Sequence, residues 1–343
     1  MNGSPSAQLS CETSSCPSWP LLANRVLQGH GLTTQEGLAV LQSSDDELLD
    51  LLAAVFRVRR HYFGKTVQLY FLINAKSGLC PEDCGYCSQS AVSTAEIPQY
   101  NLLSRQHLLD GAQQAVDCGA ATYCIVISAR GPNEREMQAI TSIVVEIKQK
   151  HDLKICASLG LLSPSQARRL KDCGVDRINH NLNSSQDFYR KICTTHTYQD
   201  RLGTLQAARQ AGLEMCSGGI IGMGEEDVEL VKMAIELREL HVQSIPINFL
   251  IPVKGTPLAD AGKLNARYCL KALAMFRLAN PDREIRIAGG RELHLGSMQA
   301  MGLYAANSMF VGDYLTTKGQ VPQADYKMIE ELGFVVTSAE TVS

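Results

Sequence analysis

The stretch VQLYFLINAKSGLCPEDCGYC, residues 67–87, joins a β-rich run to a loop that carries three cysteines. Seven more β-rich runs follow, separated by helical patterns such as SPSQARRLKDCG. They are TYCIVIS (122–128), KICASLG (154–160), DRINHNL (176–182), EMCSGGII (214–221), SIPINFLI (244–251), EIRIAGG (284–290) and NSMFVGD (307–313). Strands that alternate with helices are typical of a parallel sheet with crossover helices. Eight of them predict an α/β fold, a (β/α)8 barrel of the TIM type, with an open doubly wound sheet as the alternative.

The 343 residues are enough for one such barrel and an N-terminal helical addition. The first twenty residues contain no Lys or Arg and no apolar block, which is typical of a disordered tail. The amphipathic pattern at 45–64 predicts a helix with Ser43 or Ser44 as its N-cap. Four helical patterns end in a glycine that we expect in the left-handed conformation: Gly119, Gly174, Gly212 and Gly333. The predicted division is a disordered tail over 1–20, a helical segment over 21–64, a barrel over 65–335 and a C-terminal tail over 336–343.

Composition argues against several classes of protein. A net charge of −3 gives no electrostatic footprint for nucleic acid or for an anionic membrane. No apolar run reaches the ~20 residues that a membrane-spanning helix needs. The twelve cysteines, together with the lack of a recognisable presequence, favour a reducing, cytoplasmic location. In such a compartment, clustered cysteines indicate metal binding or catalysis more often than disulfides.

Cys80, Cys84 and Cys87 have the spacing C-x₃-C-x₂-C directly after the first β-rich run. In a barrel this position is the C-terminal face, where active sites lie. A structural zinc site is the alternative, but it needs four protein ligands, typically as two separated pairs. No fourth Cys or His lies nearby in the sequence, since the next cysteine is Cys118. Three thiolates in one loop favour a 4Fe–4S cluster whose fourth iron is open to a small molecule.

Three further cysteines, Cys124, Cys156 and Cys216, fall within β-rich runs. Each alone is readily explained as a small buried apolar residue. Period-2 alternation in a barrel lets all three side chains point inward, so a second metal site is the competing interpretation. The remaining cysteines are interpreted as ordinary residues: Cys11, Cys16, Cys118, Cys173, Cys193 and Cys269.

The C-x₃-C-x₂-C loop on a βα repeat resembles the signature of the radical S-adenosylmethionine (AdoMet) enzymes. From about residue 45 to 335 the chain is similar to the biotin synthases, in GLCPEDCGYCSQS, ICASLG, NHNLNSS, TTHTYQDR, CSGGIIGMGE, PINFLIPVKGTPL and RIAGGRE. The resemblance implies a 4Fe–4S cluster on Cys80, Cys84 and Cys87, with AdoMet on the open iron. It also implies a 2Fe–2S cluster on Cys124, Cys156, Cys216 and Arg286. An arginine ligand follows only from the family, because arginine is normally protonated.

The same resemblance assigns ligand contacts. AdoMet would contact Tyr86, Asn181, Asn183, His196, Gly222, Gly224 and Glu225. The ureido ring of dethiobiotin would contact Asn179, Asn181 and Asn248. Asn is depleted in strands, so NHNLN (179–183) indicates either turn chemistry or amide recognition of a cyclic urea. The chain departs from the family at His196, where other members carry Arg, and at Asn183, where some carry Asp.

The implied activity is insertion of sulfur into dethiobiotin to form biotin, the last step of biotin biosynthesis. No side chain is expected to act as a general acid or base, because the clusters and AdoMet carry the chemistry. The family also implies a homodimer and an electron donor such as flavodoxin or ferredoxin. Two alternatives remain open. One is another radical AdoMet enzyme on a related barrel, mutase-like or hydrogenase-maturase-like, and the other is a non-catalytic metal-binding regulatory protein.

Overall fold

A computed structural model describes residues 18–337. The strands are β1 (Thr66–Lys76), β2 (Thr122–Ile127), β3 (Lys154–Ser158), β4 (Arg177–Asn179), β5 (Glu214–Cys216), β6 (Gly219–Ile221), β7 (Ser244–Phe249), β8 (Glu284–Ile287), β9 (Ser308–Phe310) and β10 (Val335–Val336). The helices are α1 (Trp19–Leu27), α2 (Thr34–Leu41), α3 (Leu48–Phe63), α4 (Arg105–Asp117), α5 (Glu134–Lys150), α6 (Pro164–Asp172), α7 (Tyr198–Gln210), α8 (Asp227–Glu239), α9 (Ala266–Ala279), α10 (Arg291–His294), α11 (Gln299–Gly302) and α12 (Pro322–Glu331). Short 3₁₀ turns span Asp45–Glu47, Tyr189–Lys191 and Gly296–Met298.

The strands form a closed parallel barrel. Pairing runs from β1 through β2, β3, β4, β5, β7 and β8 to β9, and β9 pairs back with β1. The run at 214–221 breaks into β5 and β6, which both pair with β7 and share one position in the barrel. The closure confirms the predicted eightfold barrel and excludes the open doubly wound sheet.

The helix ends follow local sequence signals. Capping boxes begin four helices, with N-cap residues Thr33, Asn133, Ser163 and Thr197. The four glycines predicted to end helices all have left-handed φ angles, of 58° at Gly119, 100° at Gly174, 73° at Gly212 and 67° at Gly333. These signals set the points at which the chain leaves each helix for the next strand.

The N-terminal helices pack against the outside of the barrel. Helix α1 contacts α3, while α2 and α3 contact α9, and α2 also contacts α8. Ser44 caps the 3₁₀ turn that precedes α3, by accepting a hydrogen bond from the amide of Asp46 at 3.2 Å. Helix α1 begins at Trp19, inside the segment predicted as a tail, and β10 pairs with the start of β1. The remainder of both predicted tails, 1–17 and 338–343, lies outside the described residues.

Buried apolar side chains form two separate clusters because successive strand residues point to opposite faces. The larger cluster fills the space between strands and helices and includes Ile125, Ile155 and Ile285. The smaller cluster lies inside the barrel and contains Tyr70 and three cysteines. None of the helices within 18–337 is both long and apolar enough to cross a membrane.

Gly290, between β8 and α10, gives a test of the fold. Its φ is +84°, and an added Cβ would lie 2.1 Å from the carbonyl oxygen of Phe249. We expect Gly290→Ala to lower the free energy of unfolding by more than ~1 kcal/mol, since left-handed strain and a backbone clash combine. Gly203 in α7 is the control, because its added Cβ meets nothing within 4 Å. Gly203→Ala should raise stability by about 0.5–1 kcal/mol. Equal urea midpoints for the two variants would contradict this account.

Candidate functional site

The predicted functional residues surround a cavity of about 400 Å³ at the carboxyl ends of the strands. Its wall contains the three thiols of the first loop, several amides and a few larger polar groups. These are Cys80, Cys84, Cys87, Asn179, Asn181, Asn183, Asn248, Tyr86, His196 and Arg201. A cavity of this size, with a few convergent polar groups, is typical of a small-molecule site.

The first thiol group lies in the loop after β1. An antiparallel bridge between Ser77 and Tyr100 closes the base of this loop. Every cysteine in the described range is a free thiol. Burial raises the pKa of Cys80, and it raises the pKa of Cys87 to about 11. A metal that binds here therefore displaces protons from thiols, and the donor set fits the soft ligands of an iron–sulfur cluster.

Two acidic residues between the cysteines attach this loop to residues 193–196. Asp83 accepts hydrogen bonds from the amides of Thr194 and Thr195 at 2.9 and 3.1 Å. Glu82 accepts from the hydroxyl of Thr195 at 2.6 Å and from Nη1 of Arg130 at 3.0 Å. Partial burial alone would raise the pKa of Asp83, but the hydrogen bonds from Thr194 and Thr195 outweigh it and hold that pKa well below its usual range. The carboxylates therefore anchor the thiol loop in ionised form.

Cys193 and His196 lie beside the thiol loop, although the sequence showed no fourth Cys or His near it. The Sγ of Cys193 is 3.7 Å from the Sγ of Cys84 and 3.2 Å from Nδ1 of His196. Arg201 donates to Nε2 of His196 at 2.9 Å, so the ring proton is on Nδ1, where Glu82 accepts it. Both ring nitrogens are thus engaged. His196 has no lone pair for a metal, and this trio does not make a separate mononuclear site.

Arg201 is a cavity residue that the sequence analysis missed. Its buried guanidinium donates to the carbonyl oxygen of Asn181 at 2.7 Å and lies 3.4 Å from the hydroxyl of Tyr86. That hydroxyl also accepts a hydrogen bond from the amide of Asn183. The arginine falls in the first turn of α7, where a charged residue is usually exposed, so its position gave no signal. It places a permanent positive charge in the cavity wall.

The amide side chains hold each other and the backbone in place. Asn179 donates to Oδ1 of Asn181 and to the Sγ of Cys216, both at 3.2 Å. Asn248 accepts from the amide of Gly289 at 3.0 Å and donates to the carbonyl of Gly219 at 3.2 Å. The structure thus brings the predicted substrate-binding amides to one cavity wall with defined orientations.

The segment 222–225 is not part of the cavity lining. Gly222 and Gly224 have φ angles of 100° and 97°, and Glu225 accepts hydrogen bonds from the amides of Gly222 and Met223 at 2.6 and 2.8 Å. The carboxylate therefore stabilises a tight turn, and the contact of this segment with AdoMet stays a prediction.

His180 lines the cavity although the sequence analysis gave it no role, and its Nε2 has no partner among the described residues. Burial lowers the pKa of His180 well below its usual value, so the ring is neutral.

The second thiol group lies deeper in the barrel. Cys124 and Cys156 are direct partners across β2 and β3, and both cluster with Cys216 of β5. A hydrogen bond with Cys124 and burial both raise the pKa of Cys156, while burial is the main cause of the raised pKa of Cys216. The three buried thiols therefore belong to one interior cluster, and a shared inorganic core on them stays a prediction.

Arg286 on β8 completes this inner group. Its Nη1 is 3.7 Å from the Sγ of Cys216, and its Cζ is 3.2 Å from the centre of the Tyr70 ring. Its Nη2 donates to Ser244 and to Glu284, both at 2.6 Å. Nε has no partner among the described residues although the side chain is buried. Three thiols and an incompletely paired guanidinium fit a small metal–sulfur cluster.

The two thiol groups adjoin the same cavity. Leu72 and Phe310 line the cavity and also pack against the inner thiols. Asn179 makes the same connection through its bond to Cys216. A substrate in the cavity would therefore lie between the loop thiols and the strand thiols.

Comparison with known proteins gives matches over almost the whole chain. The model of the Radical SAM superfamily matches residues 76–237, and that of the Biotin and Thiamin Synthesis associated domain matches residues 246–335. A biotin synthase of Rhodopirellula baltica is 64% identical over 318 residues, which cover 93% of this chain and 89% of the relative. A biotin synthase of Geobacillus thermodenitrificans is 55% identical over 320 residues, covering 93% and 96%.

Solved structures show the same fold at low sequence identity. Methylornithine synthase matches with a TM-score of 0.80 at 19% identity, over 93% of this chain and 98% of that chain. An FeFe-hydrogenase maturase from Carboxydothermus hydrogenoformans matches with a TM-score of 0.79 at 17% identity, over 93% and 79%. Identities this low establish a shared barrel and carry no information about the reaction.

The anchoring of the thiol loop by Asp83 can be tested through iron retention. Asp83→Ala removes several hydrogen bonds to an ionised carboxylate, each worth ~1.5 kcal/mol or more. We expect iron in the reconstituted protein to pass to a chelator about tenfold faster than in the wild type. Asp110→Ala is the control, because Asp110 is an exposed carboxylate on α4 whose side-chain hydrogen-bond partner within the described range is Gln106. Iron release at the wild-type rate from the Asp83 variant would show that the loop does not depend on this anchor.

Proposed function

This chain belongs to the biotin synthase family, and from that premise we infer which of its residues carry the chemistry. It is a radical AdoMet enzyme that inserts sulfur into dethiobiotin to form biotin, with 4Fe–4S and 2Fe–2S clusters and AdoMet as cofactors. The alternatives of another radical AdoMet activity or a regulatory metal protein lose their basis, because relatives above 50% identity span nearly the full chain.

We propose that Cys80, Cys84 and Cys87 hold the 4Fe–4S cluster and that Cys124, Cys156, Cys216 and Arg286 hold the 2Fe–2S cluster. The observation that carries this assignment is the grouping of three buried thiols beside the cavity, one of which, Cys216, lies 3.7 Å from the guanidinium of Arg286. Cys193 is not assigned to either cluster. Its Sγ is 3.7 Å from that of Cys84, which is shorter than the separation of two thiolates bound to different irons of one cluster.

When bound, AdoMet and the two clusters supply the radical that activates C–H bonds and the sulfur that is inserted. The protein supplies position and shelter. Arg201 offers the cavity a fixed positive charge that suits the AdoMet carboxylate, and Tyr86 offers an aromatic face for adenine. His196 supports Arg201 by accepting its hydrogen bond, so it acts on AdoMet through the arginine.

The amides of Asn179, Asn181 and Asn248 fit the ureido ring of dethiobiotin. A cyclic urea presents one carbonyl and two N–H groups, and primary amides match both with donors and acceptors. Asn179 also touches Cys216, so a ring held by this amide lies next to the inner sulfur group. Apolar side chains such as Leu72 and Phe310 exclude water from that region, which protects a reactive carbon centre.

We further propose a homodimer, a small electron donor such as flavodoxin or ferredoxin, and a cytoplasmic location. The cysteines of the described range are all free thiols, which supports a reducing compartment. In an oxidising compartment, neighbouring thiols readily form disulfides. The dimer and the electron donor are carried over from what the family resemblance implies.

The division between the two thiol groups predicts two different failures. With Cys84→Ser, AdoMet cleavage and biotin formation should both be lost in an anaerobic assay with dethiobiotin, AdoMet and a reductant. With Cys156→Ser, biotin formation should be lost while AdoMet cleavage is partly retained. Iron should fall from about six per chain to about four in the Cys156 variant. Cys269→Ser, in the buried face of α9, is the control. Full biotin formation by the Cys156 variant would refute the assignment of the inner thiols.

The proposed role of Arg201 predicts a specific loss of AdoMet affinity. Arg201→Met removes the charge but keeps much of the side-chain volume, and we expect the equilibrium dissociation constant for AdoMet to rise about tenfold or more, as for loss of a charged hydrogen bond. Arg201→Lys should recover part of the affinity, because it restores the charge without the fork geometry. Iron content serves as the control for an intact site. Unchanged AdoMet affinity in the methionine variant would show that a residue other than Arg201 binds the AdoMet carboxylate.

A further inference from the structure

A buried carboxylate lies directly behind Arg286. Glu284, two residues earlier on β8, faces the barrel interior and is almost fully buried. Its Oε1 accepts hydrogen bonds from Arg286 at 2.6 Å and from the hydroxyl of Ser308 at 2.8 Å. Its Oε2 accepts from the hydroxyl of Tyr70 at 2.7 Å and from Arg177 at 2.9 Å. Four donors from four different strands therefore hold this carboxylate in one orientation.

We propose that Glu284 is a positioning residue for the inner cluster: it selects Nη1 of Arg286 as the nitrogen that binds iron. This inference rests on the proposed function, because it requires Arg286 to be a cluster ligand. It adds a residue that neither the cysteine pattern nor the family resemblance assigns.

The hydrogen bonds of Arg286 leave one terminal nitrogen available. Nη2 carries two protons, and both are donated, one to Glu284 and one to Ser244. Nη1 instead lies 3.7 Å from the Sγ of Cys216. Nε has no partner within residues 18–337, but it lies next to the side-chain stem rather than at the tip. Nη1 is therefore the terminal nitrogen on the thiol side of the guanidinium that is free to change its bonding.

Ligation requires the arginine to lose a proton, because a guanidinium has five N–H donors and no lone pair to offer. A carboxylate at Nη2 keeps the protons on Nη2, so the proton must leave from Nη1 as the iron–nitrogen bond forms. That proton passes to the solvent during cluster assembly, together with the protons of the three thiols. A carboxylate behind a metal-bound histidine works in the same way, by fixing the tautomer and the orientation of the ligand.

Arg177 allows this carboxylate to remain charged inside the barrel. It donates to Glu284 with Nη1 and to the half-exposed Glu214 with Nε. Once Arg286 has become a neutral ligand, Arg177 is the remaining positive charge that contacts Glu284 among the described residues. A buried ion pair of this kind costs desolvation energy and is more readily explained by a specific role than by stability.

The test uses the whole enzyme, reconstituted anaerobically after growth with guanidino-¹⁵N-labelled arginine. The variants are Glu284→Gln and Glu284→Asp. The first removes the charge but keeps the shape of the side chain, and the second keeps the charge on a side chain that is shorter by one methylene group. Glu214→Gln is the matched control, because it removes the other carboxylate on Arg177 without touching Arg286. Resonance Raman spectra of the oxidised 2Fe–2S cluster report the isotope-sensitive iron–nitrogen band, and the 4Fe–4S content reports that the barrel has folded.

In the wild type and in Glu214→Gln we expect the same isotope-sensitive band. At least one Glu284 variant should lose it and form biotin about tenfold more slowly or worse, the usual effect of removing an outer partner of a metal ligand, with AdoMet cleavage retained. If only the Gln variant loses the band, the negative charge of Glu284 selects the nitrogen. If only the Asp variant loses it, the position of the carboxylate does. Wild-type bands in both variants overturn the proposal. A wild type without the band shows instead that Arg286 is not a ligand, which removes that part of the proposed function as well.

Discussion

The alternation of side chains along eight parallel strands is the constraint on which the rest of this structure depends. In a closed barrel every second residue points toward the axis, so groups that are far apart in the chain meet in the interior. Cys124, Cys156 and Cys216 meet in this way, Arg286 on β8 contacts Cys216, and Glu284 lies behind Arg286. Helices cover the outer face of the barrel, and the main apolar core lies between the helices and the strands. The barrel interior can therefore contain polar groups.

The interior carries charges at a cost that other parts of the fold must offset. Arg177, Glu284 and Arg286 are all buried, and removal of such groups from water is expensive unless they pair well. Each has a partner of opposite charge at 2.6–2.9 Å, and the phenol ring of Tyr70 lies beside the guanidinium of Arg286. Burial of the apolar cluster between the strands and helices offsets the desolvation cost of these interior charges.

The two thiol groups differ in how they are supported. Strand residues hold the inner group, so its positions follow from the barrel itself, and small changes in a loop do not move them. The outer group lies in a loop and depends on contacts from Glu82 and Asp83 to residues 193–196. Rigid support suits a cluster built among the strands. A loop that is held by a few side-chain and backbone contacts suits a site that must also admit a nucleotide and release its products.

The sequence by itself determined the barrel, and it predicted the outer cysteine group and, through the family resemblance, the inner ligand set that we propose. Those features depend on periodicity, glycine helix ends and short spacing, which are local properties of the chain. Only the tertiary structure decided that Cys193 lies against Cys84, that Arg201 is buried in the cavity wall, and that Glu284 faces Arg286. It also placed Gly222, Gly224 and Glu225 in a turn outside the cavity lining. Long-range contacts depend on strand register and loop packing, and a single sequence contains no local signal for either.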